Sequence, residues 1–272
     1  MANLREKASR FRELHEGPSA LLVGNAWDAG SARVLAALGF SALATSSGAA
    51  AGTLGQRDGS ITRAQAMAQA HAIASATELP VSADLEKGYA NEPAGVAETI
   101  RLCAAAGLVG ASIEDATGDA EQPLFELSAS VERVRAAAGA ARQLPFAFTL
   151  MARCENFLRG RPDLGDTIAR LRAYEAAGAD VLAAPGLPDL DAVRAVCASV
   201  GKPVNFMVGA RGGSFSVAEL EQAGVRRISF ATSLYRAAMS GLVEAAREIT
   251  AQGTFGYLDR TVTTAELYEL MG

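Results

Sequence analysis

Eight times along the 272-residue chain a short apolar run is followed by a stretch of helical periodicity, and the entrances to these runs are marked in a regular way. Leu38-Gly39-Phe40, Ala106-Gly107-Leu108, Ala177-Gly178-Ala179 and Ala223-Gly224-Val225 precede the second, fourth, sixth and eighth runs. Pro80, Pro145 and Pro203 precede the third, fifth and seventh. Glycine just past a helix and proline shortly beyond it are both stop signals, so the two series mark one event, the end of a helix before a strand. The runs (21–27, 40–45, 80–86, 109–115, 145–153, 180–186, 203–208 and 226–232) are nearly continuous in apolar residues, as parallel strands covered by helices require. The alternation predicts a single (β/α)8 TIM-type barrel over residues 1–272, with an N-terminal helix at 4–15 and a C-terminal helical extension at 252–272. A doubly wound open sheet is the rival; no GxGxxG opens a helix after the first run. Residues 46–60, rich in Gly, Ala and Ser, read as a long loop.

Composition narrows the function classes. Half of the residues are hydrophobic and 20% are charged, the net charge is -5, and no basic stripe is present, so nucleic acid is not an expected partner. No apolar run approaches the roughly 18 residues of a membrane span, and the charged start of the chain has no apolar signal-peptide core. Cys103, Cys154 and Cys197 match no zinc spacing and read as reduced thiols, which points to the cytoplasm. His15 and His71 both fall within helices, away from strand ends, so a histidine base or ligand is not expected.

In a barrel of this kind the chemistry sits at the C-terminal ends of the strands. Asp84 and Glu86 end the third run, and strand alternation turns both to one side. Glu114 ends the fourth, and Asp58 lies in the loop after the second. Four acids around one mouth need a countercharge. Oxygen-only donors suit Mg2+ or Mn2+, which retains waters; taken alone, Asp84 and Glu86 could also be a solvated strand end. Arg153, ending the fifth run, can bind a substrate carboxylate bidentately, or form a salt bridge to Glu155 or Glu114. The N–H groups of Ser46, Ser47 and Gly48 could hold an oxyanion, and Asn205 is offered by the seventh strand.

These pieces together carry a resemblance. SSG…LGQRD (46–58), ADLEKGY (83–89), SIED (112–115), MAR.EN (151–156) and the AGAD strand entrance (177–180) resemble the isocitrate lyase / phosphoenolpyruvate mutase superfamily over roughly residues 20–245. The resemblance implies a barrel and Mg2+ held directly by Asp84, with Glu86, Glu114 and Asp58 acting largely through water. It implies that Ser46, Ser47 and Gly48 hold the 2-oxo carboxylate end of a small substrate facing Arg153. It also implies a homo-oligomer, dimer or tetramer, in which helix 262–271 could swap onto a neighbour. The chain departs from the lyases in its loop after strand four: ATGDAEQPLFEL (116–127) has no Cys, His or Lys where they carry a KKCGH-like segment. Pro185 stands where they have a Glu, and the mutases' longer gating loop is missing. The expectation is a Mg2+-dependent carbon–carbon lyase acting on a small 2-oxo or 2-hydroxy dicarboxylate through an enolate, as in oxaloacetate decarboxylation. The alternatives are phosphonopyruvate hydrolase or mutase chemistry, and a non-catalytic 2-oxo acid binding protein. Loop 116–127 is expected to exclude water without supplying a catalytic group, so that proton transfer comes from metal-bound water or from Tyr89, which is nominated as catalytic beside Arg153 and Glu114.

Overall fold

The computed structural model describes residues 3–209 and 215–272. Eight parallel strands close into a barrel in sequence order: β1 (Leu21–Asn25), β2 (Ala42–Ala44), β3 (Val81–Asp84), β4 (Gly110–Glu114), β5 (Thr149–Arg153), β6 (Val181–Ala183), β7 (Val204–Met207) and β8 (Arg227–Ser229). β8 returns to β1 through the pairs Leu21–Arg227 and Val23–Ser229. The chain thus has the (β/α)8 fold expected from its alternation, with no open sheet edge. The helices between strands are α2 (Ala29–Ala37), α4 (Arg63–Ser75), α5 (Pro93–Ala105), α6 (Leu127–Arg142), α7 (Leu164–Ala177), α8 (Leu190–Ser199) and α9 (Val217–Gln222). The entrance signals work as local stops: Gly178 caps α7 in the left-handed conformation at φ 108°, and its N–H reaches the carbonyls of Tyr174 and Glu175.

Helix α1 (Leu4–His15) starts at an Asn3–Glu6 capping box and plugs the N-terminal end of the barrel. Its Ala8 and Phe11 are fully buried against Leu21, Val23, Ala42, Ala44 and Val109. Position 110 must be glycine for this, because a Cβ there would stand 2.9 Å from the Phe11 ring and 2.8 Å from the Thr149 carbonyl. His15 Nδ1 lies 2.7 Å from the Phe11 carbonyl, which can only accept, so Nδ1 carries the proton and Nε2 is left to accept from Arg227 at 3.5 Å. Arg227 also donates to Ser82 Oγ at 3.1 Å inside the barrel. Burial and the neighbouring Arg227 hold the His15 imidazole down at about 4.

Two local expectations change. Within the segment expected to be a loop, Ser47–Thr53 forms helix α3, N-capped by the Ser46 hydroxyl onto Ala49 N–H. Ala49, Ala50 and Ala51 favour helix and bury together, which outweighs the flanking glycines. Strand three ends at Asp84, not Glu86: Glu86 takes a left-handed φ of 49° in a turn closed by Gly88 N–H to the Leu85 carbonyl. At the C-terminus, α10 (Ser233–Gln252) has no buried residue, a 3-10 turn (Gly256–Arg260) follows, and α11 (Thr264–Met271) returns to α2 of its own barrel. Arg33 there donates to the Met271 carbonyl at 3.1 Å. In the isolated chain α11 therefore has a docking surface of its own.

Candidate active site

The register between strands brings the site together. Asp84 pairs with Ser112, and Glu114 pairs with Arg153, so the ends of β3, β4 and β5 lie side by side at the mouth. Arg153 fills the space between them. Its Nη1 is 2.8 Å from Asp84 Oδ1, its Nη2 is 2.6 Å from Glu114 Oε2, and it reaches Glu155 Oε1 through Nε at 3.1 Å and Nη2 at 2.9 Å. Burial alone would weaken its charge, but Glu114, Glu155 and Asp84 together hold its pKa well above the ordinary arginine value. Of the two readings of Arg153, the structure shows the salt bridge, made to both Glu114 and Glu155 at the mouth.

The structure adds Arg159 to the site and shows how Glu155, expected only as a salt-bridge partner of Arg153, is engaged. Glu155 is fully buried and turns toward Arg153 although it lies beyond the strand end. Arg159, in the turn after it, closes a ring of charges by touching Glu114 Oε1 at 3.3 Å and Glu155 Oε2 at 3.5 Å. The signal was present as an Arg-x-Glu-x3-Arg spacing, but nothing local shows that the turn folds back to the mouth.

Ser47 donates both its N–H (3.1 Å) and its hydroxyl (2.9 Å) to Asp84 Oδ2. Its donors therefore orient the aspartate and are not free for a substrate. Gly48 lies in the first turn of α3, where N–H groups have no partner within the helix. A side chain at 48 would meet Thr232 at 2.7 Å and Asp58 Oδ2 at 3.2 Å, so Thr232 and Asp58 pack against the start of α3 and leave no space for one. Ser46 is buried and serves as the helix cap. Asn205 is not brought to the cluster: it is buried, donates to Ser229 Oγ at 3.0 Å, and its Oδ1 has no partner among the described residues.

Electrostatics at the mouth are one-sided. Five carboxylates (Asp58, Asp84, Glu86, Glu114 and Glu155) face two arginines. Burial, then Asp84, pushes the Glu86 carboxyl up to about 7. Burial also raises Glu114, against the pull of Arg153. Glu86 accepts from the Tyr89 hydroxyl at 3.1 Å. Burial and that neighbouring carboxylate push the Tyr89 phenol far above its ordinary value, so it keeps its proton and is a weak acid. Among the described residues no three His, Cys, Asp or Glu side chains are preassembled around one point. The donor chemistry nevertheless fits a hard divalent ion: all oxygen, an excess of negative charge, and an Asp84 whose carboxylate is already oriented by Ser47. A cation arriving at Asp84 Oδ1 would compete there with Arg153.

Acids gathered at the C-terminal mouth of a (β/α)8 barrel, around a buried arginine, stand where barrels of this class carry their active sites. The family model for phosphoenolpyruvate phosphomutase matches residues 11–250, and the chain belongs to the isocitrate lyase / phosphoenolpyruvate mutase superfamily, a group of lyases and mutases. The chain is 31% identical to an oxaloacetate decarboxylase of Bradyrhizobium diazoefficiens, over 74% of this chain and 70% of that one. It is 28% identical to the 2,3-dimethylmalate lyase of Eubacterium barkeri, over 97% and 94% of the two chains. Among solved structures, a Burkholderia cenocepacia protein provisionally called a lyase/mutase matches with a TM-score of 0.96 at 50% identity, covering 98% of this chain and 95% of that one. Oxaloacetate acetylhydrolase bound to its product oxalate matches with a TM-score of 0.88 at 26% identity, covering 98% and 94%.

Proposed function

We propose that the chain is a Mg2+- or Mn2+-dependent lyase that breaks a carbon–carbon bond in a small 2-oxo dicarboxylate, with oxaloacetate decarboxylation as the reaction that fits best. The observation that carries this is the cluster in which Asp84, oriented by Ser47, lies 2.8 Å from Arg153 at the barrel mouth. Asp84 would hold the ion, with Glu86, Glu114 and Asp58 close enough to act through water. The ion would supply electron withdrawal from the 2-oxo carbonyl and stabilise the enolate left when the bond to C3 breaks.

The protein's own residues have definable tasks. Arg153 would face the substrate's carboxylate, its guanidinium plane set by Glu114 and by two bonds to Glu155. The N–H groups in the first turn of α3, where Gly48 packs closely against Thr232 and Asp58, would meet the 2-oxo carboxylate. Tyr89 keeps its proton and holds Glu86 in place. Loop 116–126 carries Asp119 and Glu121 at an exposed tip and contributes no thiol, imidazole or ammonium group. A cleavage whose departing carbanion must be protonated within the site is therefore poorly served, whereas departing CO2 carries no proton and the pyruvate enolate left behind would take its C3 proton from solvent water. Relatives named for oxaloacetate decarboxylase support the same choice.

We also place the protein in the cytoplasm, as a homo-oligomer. Exposed Met239, Leu242 and Val243 on α10 favour burial against a second copy, over an apolar face exposed to water.

The test is direct. Purified protein with Mg2+ should consume oxaloacetate and release pyruvate, and EDTA should stop it. Phosphonopyruvate in the same assay distinguishes P–C chemistry, and oxalate binding without turnover of either would mark a binding protein. Asp84→Ala should abolish Mg2+ binding in calorimetry; an unchanged affinity would remove Asp84 from the metal site.

A further inference from the structure

Behind the mouth, on the helix side of the strand ends, lies a second polar network centred on Asp115, which is 3% exposed. Its Oδ1 accepts from Glu155 N–H at 2.8 Å. Its Oδ2 accepts from the Tyr174 hydroxyl at 2.6 Å and from Arg170 Nη1 at 3.2 Å, both on α7. Its backbone is equally engaged: the N–H donates to the Arg153 carbonyl at 3.2 Å, and the carbonyl accepts from Phe125 N–H at 2.9 Å.

Phe125 lies at the end of loop 116–126, just before Glu126 at the N-cap of α6. The loop is a short hairpin, with Ala116 bridged to Leu124 and Thr117 N–H donating to the Pro123 carbonyl at 3.0 Å. Its tip, 118–122, is exposed. Its base is fixed twice to the same network, through Asp115 O to Phe125 N–H and through Arg170 Nη1, which donates to the Phe125 carbonyl at 3.0 Å. Arg170 is braced in turn by Asp166 at 2.8 Å, and Asp166 accepts from Asn156 at 2.8 Å. One buried carboxylate therefore ties together the loop base, the Glu155 backbone and α7. Glu155 in turn holds Arg153 by two hydrogen bonds. Buried polar atoms with fixed geometry transmit displacement, because any one of them left unpartnered is costly.

We propose that Asp115, with Arg170 and Tyr174, is a positioning device that couples loop 116–126 to Arg153: movement of the loop base at Phe125 passes through the Asp115 carboxylate to Glu155, and from Glu155 to the guanidinium. These three residues touch no substrate. The proposal rests on the reading that Arg153 receives the ligand's carboxylate, and it makes ligand binding at the mouth and order in the loop reciprocal.

The test uses oxalate, in the presence of Mg2+, as the carboxylate probe. Cleavage by Glu-C protease after Glu121 is followed by mass spectrometry, with and without oxalate, and oxalate affinity is measured by calorimetry. In the wild type, oxalate should slow cleavage at Glu121 at least fivefold. In Arg170→Met that protection should disappear and oxalate affinity should fall at least tenfold, although Arg170 does not touch Arg153. Arg170→Lys should recover part of both. Tyr174→Phe, which removes one hydroxyl and leaves the ion pair, should show the same trend more weakly, and it carries the test if Arg170→Met fails to fold. Folded variants with a wild-type Tm that bind oxalate within twofold of wild type and keep the protection would overturn the coupling alone. A wild type that binds no oxalate would remove the reading of the mouth, and the coupling with it.

Discussion

Arg153→Met is the most informative single perturbation, because one guanidinium stands among three carboxylates. In the native protein it makes contacts of 2.6–3.1 Å to Glu114, Asp84 and Glu155, and its side chain is 12% exposed. Charge-assisted hydrogen bonds are worth about 1.5–3 kcal/mol each, but summing four of them ignores the cost of taking the ions out of water. The better measure is a buried pair broken on one side, which costs about 3–5 kcal/mol because the remaining charge stays buried without its partner. Methionine keeps most of the volume, so little of this loss comes from a cavity. For a domain stable by about 5–15 kcal/mol the change is large. Urea unfolding at about pH 8, followed by circular dichroism, should therefore show a loss of about 3–5 kcal/mol for Arg153→Met.

The same variant carries a pH signature. Burial already raises Glu114, and without Arg153 it rises further. A carboxyl raised in the folded state contributes stability that is fully present below its unfolded value and lost as pH climbs through its folded value. The deficit of the variant should therefore shrink as the assay moves from about pH 8 to about pH 5, where protonation removes one of the uncompensated charges. A loss below about 1 kcal/mol at the higher pH, or a deficit that grows on acidification, would refute the account of Arg153 as the shared cation of this cluster.

Other consequences are more local. His15, held at about 4 against an ordinary 6.5, should make the wild type lose up to about 3 kcal/mol as pH falls through that window, and His15→Gln should flatten the stability profile there. Gly48→Ala should lower both turnover and the urea midpoint, since the added methyl would stand 2.7 Å from Thr232 and 3.2 Å from Asp58 and force the start of α3 to shift; unchanged kcat/KM would mean the start of α3 takes no part in the reaction. Neutralising the loop acids together (Asp119→Asn, Glu121→Gln, Glu126→Gln) should change turnover by less than about tenfold, under about 1.4 kcal/mol in barrier; a collapse with metal binding intact would show that the loop supplies an acid or base. Removing residues 258–272 should change the oligomer measured by light scattering if the C-terminal segment crosses to a neighbour, and leave it unchanged if α11 stays on α2.

The order of elements was legible in the sequence because stop signals and apolar runs are local properties. Gly178 ends α7 through its own backbone freedom, and the run at 109–115 becomes a strand wherever it sits. The rim position of Asp84, Glu114 and Arg153 followed as well, since each closes its strand. The turn at Glu86 and helix α3 were less legible, because a left-handed residue and a short alanine helix depend on what packs against them. The partnerships were decided by tertiary structure alone. That Arg153 meets Asp84, 69 positions away, depends on the register of β3, β4 and β5, and strand sequences say nothing about register across a barrel. Glu155 turns inward and Asp115 turns to α7 because closure of the barrel leaves each buried carboxylate a particular set of donors, and a buried charge settles where those donors are.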